Sequence, residues 1–544
     1  MKKKRFYCSC ILLIFIVVSA TRAQSRQNQK FEIDLDHIRS LLKIPGMAVA
    51  ISKGDSIIYE KGLGYADIQN NVKVSSSTTF RIASVTKTFT STIIMQLVEQ
   101  GKLELDTPIT EFGLDFGNPS ITVRHLLTHT SEGEPGTHFQ YNGFRFGKLG
   151  VIIEKAARKP FYQLIMENIL QPAQLYNSAP GMPLFTYFAY VQAHKEMQPF
   201  FEKAFTNLAK PYELNQQGEI AETKYLDEFG AFGGLTSNVH DLLKYSAAID
   251  QYKFISQQTQ KVIFTPNRTK NGHPTPYGLG WFVQNYKGIN FYWHYGQTQG
   301  ESALFVKVPS RHLTLVALTN IDKLSTPFPL GDGDLFTSPL GQAFYKYFIN
   351  QDKNLKNLDY RLPPKELIKN ITQRGSSTFK EFYNKEIITQ ASLYAVSGQT
   401  TMVNKLYDLY AHLNFTNSSP LPQTPVMAEL KNVGINKEEV ASFSLTKPTE
   451  INVYGVGENC SVDFTSWCDY GWIEDANGKV VWQMPSQPAV RAGGAIKNQR
   501  VVAIITLPAG AYKLKYKSDS GHGYNNWDSA PPDNFFWGIT LFKK

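Results

Sequence analysis

The chain has 544 residues, of which 42% are hydrophobic, 13% aromatic and 19% charged, with a formal net charge of +10 at pH 7. That length and apolar content call for two or three domains with real cores and exclude a disordered chain. Half of the positive surplus falls in the first 23 residues, and what remains is spread too thinly to make a nucleic-acid-binding surface.

Residues 1–23 read as a targeting segment. Lys2 to Arg5 are basic, Cys10 to Val18 are apolar, and Ala20-Thr21-Arg22-Ala23 offers small residues for cleavage before Gln24. The apolar run is too short to span a bilayer, so no membrane span is expected after processing. Cys8 lies before that run, which argues against a lipoprotein attachment site. The expectation is a secreted or periplasmic bacterial protein. Cleavage leaves two cysteines, Cys460 and Cys468, which could form one disulfide in an oxidising compartment.

A β-hairpin is predicted next, with Met47 to Ile51 and Ser56 to Tyr59 joined through Lys53-Gly54-Asp55. The stretch Arg81 to Gly101 follows and holds a long apolar helix. Val85, Phe89, Ile93 and Leu97 recur every four residues, Ile94 and Val98 widen the stripe, and Gly101 stands where a C-cap would close it. Ser84 and Lys87 sit three apart at its start, on one face. A serine hydroxyl needs a base to take its proton, and a lysine can serve if burial lowers its pKa. A helix N-terminus also offers backbone N–H groups to a developing oxyanion.

Leu103 to Phe112 reads as a further helix starting at Asp106-Thr107-Pro108. In Ile121 to Ala157, His125 and His129 are spaced i,i+4 as a metal pair would be. No H-E-x-x-H accompanies them, so they read as structural residues bracing the following loop, and no metal site or cofactor is expected. Gly181 to Glu228 is rich in Tyr and Phe, either a substrate-shaping insertion or a helical packing subdomain.

The segments SVTKTFT, RHLLTHTS, a tyrosine followed by LGVIIE, FGAFGGLTSNVHDLLKYS, YGLGWFV and WHYGQTQGESALFVKVPSRHLTLVALTN occur in order. Together they resemble the serine β-lactamase and penicillin-binding-protein family, in its class C branch with esterase and D-peptidase relatives. The resemblance covers roughly Ile38 to Tyr347. It implies an α+β fold, an antiparallel sheet flanked by helices. It also implies Ser84 as the acylated nucleophile, Lys87 as its proton acceptor, and Tyr141 as a base or proton shuttle. His294-Tyr295-Gly296 would fill the family's third motif, with Gly296 letting a strand lie against substrate. The backbone N–H groups of Ser84 and Gln297 would form the oxyanion hole.

Two departures bear on substrate. The run Tyr141-Asn142-Gly143 has glycine where the family's Y-x-N motif has asparagine, and Asn142 is the neighbour that could take over that role. His294 replaces the lysine expected of an efficient β-lactamase. The implied activity is therefore hydrolysis of an ester or amide, of esterase or D-peptidase type, with weak action on β-lactams. The alternatives are a class C-like β-lactamase and an acylable sensor without turnover. Taken singly, Tyr141 and His294 could be ordinary core residues; their order relative to Ser84 favours the site.

After Tyr347, residues 351–413 read as a helical segment, 414–432 as a proline-rich linker and 433–544 as a β-sandwich following the hydrolase domain at 24–350. Five of the seven tryptophans, Trp467, Trp472, Trp482, Trp527 and Trp537, lie in the sandwich. Buried they would be core, and exposed they could bind a cell-wall glycan. The expected partners are thus a small-molecule or peptide substrate, with cell-wall peptide or glycan in view.

Overall fold

The computed structural model describes residues 25–543 apart from 182–187, 216, 227, 351–354, 356–357, 359, 373–379, 400, 404, 407–408, 410–424, 460–466, 486–489, 492–497, 522 and 525–536. The leader, Cys460, Trp527 and most of the linker lie outside the described residues. The chain divides into two compact units, Met1–Gln351 and Asp352–Lys544.

The first unit is built on a seven-stranded antiparallel sheet. Its order runs Val72–Lys73, Ser56–Asp67, Gly46–Lys53, Leu313–Thr319, Glu301–Val308, Ile289–Thr298, Phe282–Tyr286. The predicted hairpin forms its first pair, and Ala50 faces Glu60 on one side and Val316 on the other. Leu313–Thr319 and Glu301–Val308 are buried along their whole length, so neither face of the sheet's centre meets water. On one face Ala48, Phe305 and Val316 join Phe89, Ile93 and Tyr245 in the core that holds the helices Thr86–Glu99 and Val239–Asp250. At the two ends of this unit, Phe31, on a helix over residues 25–41, meets the rings of Tyr59, Tyr347 and Phe348 edge-on at 5.0–5.9 Å.

The helix Thr86–Glu99 is the centre of this unit. Its apolar stripe is buried as the spacing predicts, except for half-buried Val98, and each buried side chain contributes about 1.5–3 kcal/mol. The structure adds that its polar side is buried too, because Thr88, Thr90, Ser91 and Thr92 are enclosed. Short hydroxyls make this tolerable by hydrogen-bonding locally or across: Thr90 Oγ1 donates to Ala231 O at 2.8 Å, and Thr92 Oγ1 lies 3.1 Å from Tyr245 OH. Gly101, at φ +65°, ends the helix. Instead of a full helix, Leu103 to Phe112 holds only a 3₁₀ turn, Ile109–Phe112, which Gly113 closes at φ +68°.

In the second unit, the helices Pro364–Thr372 and Lys380–Val396 bury Leu367, Ile371, Phe382 and Ile387. A β-sandwich follows, and its first strand, Val426–Lys431, starts inside the stretch read as linker. One layer runs Val490–Arg491, Asn498–Leu507, Thr449–Asn459, Gly538–Lys543, Val426–Lys431. The other runs Val480–Gln483, Trp467–Asp475, Gly510–Lys517, Glu438–Leu445. The layers join at one corner, where Glu458 and Asn459 pair with Asp469 and Trp467, which gives the module a barrel-like closure. Trp537 is core, and its indole N–H donates to Asp469 Oδ2 at 2.8 Å. Trp467, Trp472 and Trp482 are half-buried. Among the described residues no helix is long and apolar enough to cross a membrane.

Candidate active site

Ser84 lies on the 3₁₀ turn Ala83–Val85 that leads into the helix Thr86–Glu99. Ala83 takes φ +43°, a left-handed conformation that costs a non-glycine residue about 1–2 kcal/mol. The turn is held by Thr86, whose Oγ1 donates to Ala83 O at 2.7 Å and accepts the N–H of Leu235 at 3.1 Å. Strand Ile289–Thr298 lies directly against it. A Cβ on Gly296 would come within 2.3 Å of Ile82 O, so only glycine admits this approach. Gln297 follows one residue beyond that contact, with its side chain exposed.

Lys87 is 1% exposed, and its Nζ donates to Ser84 Oγ at 2.8 Å and to Phe232 O at 2.6 Å. The Tyr141 and Phe146 rings flank the nitrogen, with centroids at 5.4 and 5.3 Å. Among the described residues no carboxylate pairs with it, and burial brings its pKa down to about 7. An amine poised near neutrality beside a serine hydroxyl can act as a general base.

The Tyr141 hydroxyl is buried beside Ser84 without a hydrogen bond of ordinary geometry. Burial, reinforced by Tyr295, pushes this phenol well above its usual 10, while the Ser84 contact works the other way. Tyr141 is therefore a neutral phenol near neutral pH.

His294 is fully buried. Its Nδ1 lies 2.7 Å from Tyr295 O, which can only accept, so Nδ1 carries the proton and Nε2 accepts the Tyr277 hydroxyl at 2.8 Å. Burial and the nearby Lys87 charge hold its pKa down to about 3. It adjoins Tyr141, with ring centroids 6.1 Å apart, but presents no positive charge to substrate.

Asn142 points elsewhere. Its Oδ1 accepts the N–H of Arg145 at 2.9 Å as N-cap of the helix Gly143–Gly147, and its Nδ2 donates to Glu132, which also pairs with Arg145 at 3.2 Å. The amide is thus committed away from Ser84, and it does not replace the absent asparagine. Gly143 itself faces the site, since a Cβ there would stand 3.9 Å from Lys87 Nζ.

Ser84, Lys87, Tyr141, His294 and Gly296 are thus brought together. Cys468 lies in the other unit, and its expected partner Cys460 is outside the described residues. Sequence reasoning missed Phe232, whose contribution is a backbone carbonyl with no side-chain signature, and Tyr277, which orients His294. The two histidines at i,i+4 separate because the helix Val123–Leu127 ends before His129. His125 forms a capping box with Thr122, whereas His129 lies against Tyr141. A group of three carboxylates within 4.8 Å of one another is Glu458, Asp469 and Asp519 in the sandwich. Both Asp469 oxygens there accept hydrogen bonds, from Asp519 N at 2.7 Å and from Trp537 Nε1, so the cluster reads as structural.

A family model described as Beta-lactamase matches residues 36–332, which include Ser84, Lys87, Tyr141, His294 and Gly296. Penicillin-binding protein 4* of Bacillus subtilis (strain 168) is 27% identical over 317 residues, covering 50% of this chain and 67% of the relative. Protein flp of Staphylococcus aureus (strain MW2) is 24% identical over 347 residues, covering 56% and 66%. The chain thus spans about two thirds of the length of these curated relatives. The octameric penicillin-binding protein homologue from Pyrococcus abyssi aligns over 66% of this chain and 81% of its own, at 22% identity and a TM-score of 0.49.

Proposed function

The chain belongs to the Beta-lactamase family of serine hydrolases, and on that premise we propose that it is an exported hydrolase of esters or D-configured peptides, weak on β-lactams. The observation that carries this reading is the 2.8 Å contact between Ser84 Oγ and the buried, carboxylate-free Lys87. Neutral Lys87 takes the Ser84 proton as Oγ adds to the carbonyl carbon. The oxyanion is received by the backbone N–H groups of Ser84 and Gln297, a contribution worth roughly 10²–10³ in rate per donor. Tyr141, held as a phenol, donates its proton to the leaving group and is reprotonated from Lys87. Water then releases the acyl group by the reverse proton route.

Two features support the substrate class. Gly143 places no side-chain amide beside Lys87, and buried, neutral His294 offers no fixed cation to a substrate carboxylate. Compact anionic β-lactams would gain from such an amide and such a cation, whereas an ester needs chiefly Ser84, Lys87 and the oxyanion donors. The Bacillus relative's name speaks of binding penicillin, which supports binding of a β-lactam without implying turnover. Should acylation proceed without release, the protein is a sensor of the same chemistry.

We further propose a mature chain that starts at Gln24, with a hydrolase domain to residue 350, a helical segment, a linker and a sandwich closed by a Cys460–Cys468 disulfide. The sandwich offers a cell-wall glycan the outward pair Tyr470 and Trp472, 5.4 Å apart, with Lys515 lying over Trp472. The test of the central reading is labelling by a fluorophosphonate, followed by tryptic mapping and burst kinetics. A label confined to Ser84 and lost in Ser84→Ala upholds it, and a label elsewhere sinks it.

A further inference from the structure

His129 makes two backbone attachments, one on each side of Tyr141. Its carbonyl accepts the N–H of Gln140 at 2.8 Å, and its side-chain Nδ1 accepts the N–H of Asn142 at 3.1 Å. Between these two anchors the Tyr141 ring packs on the imidazole, with centroids 4.3 Å apart. Phe146 at 5.1 Å and Tyr277 at 4.9 Å also pack against the imidazole, so the ring has little room to turn.

This arrangement is costly. His129 holds φ +54°, a left-handed conformation uncommon for side-chain-bearing residues, although histidine, like asparagine and aspartate, adopts it more often than most. With Nδ1 accepting, the proton sits on Nε2, and that N–H is buried with no hydrogen-bond partner among the described residues. A strained residue with an orphaned donor persists when its surroundings over-determine it, and such residues cluster at working sites. Here the surroundings are the two anchors that fix Tyr141.

We propose that His129 is a positioning residue for the reaction: it grips the chain at residues 140 and 142 and thereby aims the Tyr141 hydroxyl at Ser84. The inference rests on the reading of Ser84 and Tyr141 given above. The grip needs Nδ1 as an acceptor, because a doubly protonated ring would set its own N–H against that of Asn142. Burial chiefly, and any charge on Lys87 in addition, oppose the charging of His129; the other ionisable groups facing it are His294, itself held neutral, and the phenols Tyr141 and Tyr277. Burial thus keeps the ring neutral, with Nδ1 as an acceptor, whether Lys87 is charged or free.

Substitutions separate the acceptor from the bulk. His129→Leu keeps much of the volume and removes the acceptor. His129→Asn places Oδ1 near the position of Nδ1 and tolerates the left-handed backbone. Should His129→Leu not fold, His129→Ala takes its place. Acylation of Ser84 by a fluorophosphonate is expected to slow roughly 10–100-fold in the Leu variant, with saturation concentration little changed. The Asn variant should stay within about threefold of the parent. Amide hydrogen exchange of a peptide spanning residues 139–143 should speed up in the Leu variant and stay protected in the Asn variant. Equal acylation rates in parent and Leu, an Asn variant as slow as Leu, or unchanged exchange would each overturn the grip. A parent protein that takes no label on Ser84 would sink the hydrolase reading instead, and the exchange measurement would still decide whether His129 holds the loop.

Discussion

Lys87 reaches Ser84 at 2.8 Å from one turn along the same helical run, with 1% of its surface exposed. The pair joins a local geometry to a global one. The i,i+3 spacing brings nitrogen to hydroxyl, and the enclosure strips water from the ammonium and makes the free amine accessible near neutrality.

The acylation rate should follow that amine. Because the active form is deprotonated, the rate is expected to climb about tenfold per pH unit below about 7 and to level off above it. Fluorophosphonate labelling between pH 5.5 and 8.5 measures this. A rate flat across that window would mean that another group takes the proton. Lys87→Arg, cationic throughout, should remain near background at every pH.

The same burial costs stability. In the unfolded chain Lys87 titrates near 10.5 and in the fold near 7, so between those values the unfolded state binds more protons. On this group's account stability rises with pH from about 7 to 10.5, and the penalty is complete below about 7. Lys87→Met should therefore abolish acylation while stabilising the fold by roughly 1–4 kcal/mol at pH 6, with the gain shrinking toward pH 10. Thermal melts of both proteins at pH 6 and 9 check it; a destabilised Met variant at pH 6 would contradict the account.

Substrate preference should respond to Gly143. In the parent, kcat/KM for p-nitrophenyl butyrate is expected to exceed that for nitrocefin, with a D-Ala-D-Ala peptide as the third comparison. Gly143→Asn sets a side-chain amide about one contact distance from Lys87 Nζ and should shift the ratio toward the amide substrates by roughly tenfold, about 1.4 kcal/mol in barrier. A parent that prefers nitrocefin by tenfold overturns the assignment.

Gly296 should tolerate nothing larger. A Cβ there would lie 2.3 Å from Ile82 O and 3.1 Å from Ala83 Cβ, forcing the strand off the turn that carries Ser84. Gly296→Ala should cost about 1–3 kcal/mol and reduce acylation by roughly 100-fold or more. Wild-type labelling in a folded Ala variant would show that the strand does not position the site.

The two compact units should separate functionally. Cleavage within 414–425 is expected to leave an N-terminal fragment that still acylates Ser84, read by labelling after gel filtration. The C-terminal fragment should carry a Cys460–Cys468 bond worth at most about 2–3 kcal/mol to that module alone, seen as a mass change on reduction and alkylation. Loss of labelling in a folded N-terminal fragment would mean that the sandwich helps build the site.

Periodicity and spacing in the sequence determined what depends on near neighbours. The nucleophile helix, its closing glycine, the first hairpin and the serine–lysine pair were all legible, because each is settled within a turn or a few residues of chain. Burial and cross-chain hydrogen bonds were not. The second acceptor of Lys87 is a carbonyl 145 residues away, and the partner of His294 is a tyrosine 17 residues upstream. Asn142, which the sequence offered as a substitute for the missing asparagine, is turned away by Glu132 and by its own capping bond. His129 looked like half of a helical pair until the helix ended two residues short of it. In each case the side chain's identity was plain from the sequence, but its role depended on which distant groups removed its water and which accepted its protons, and only the tertiary packing decides that.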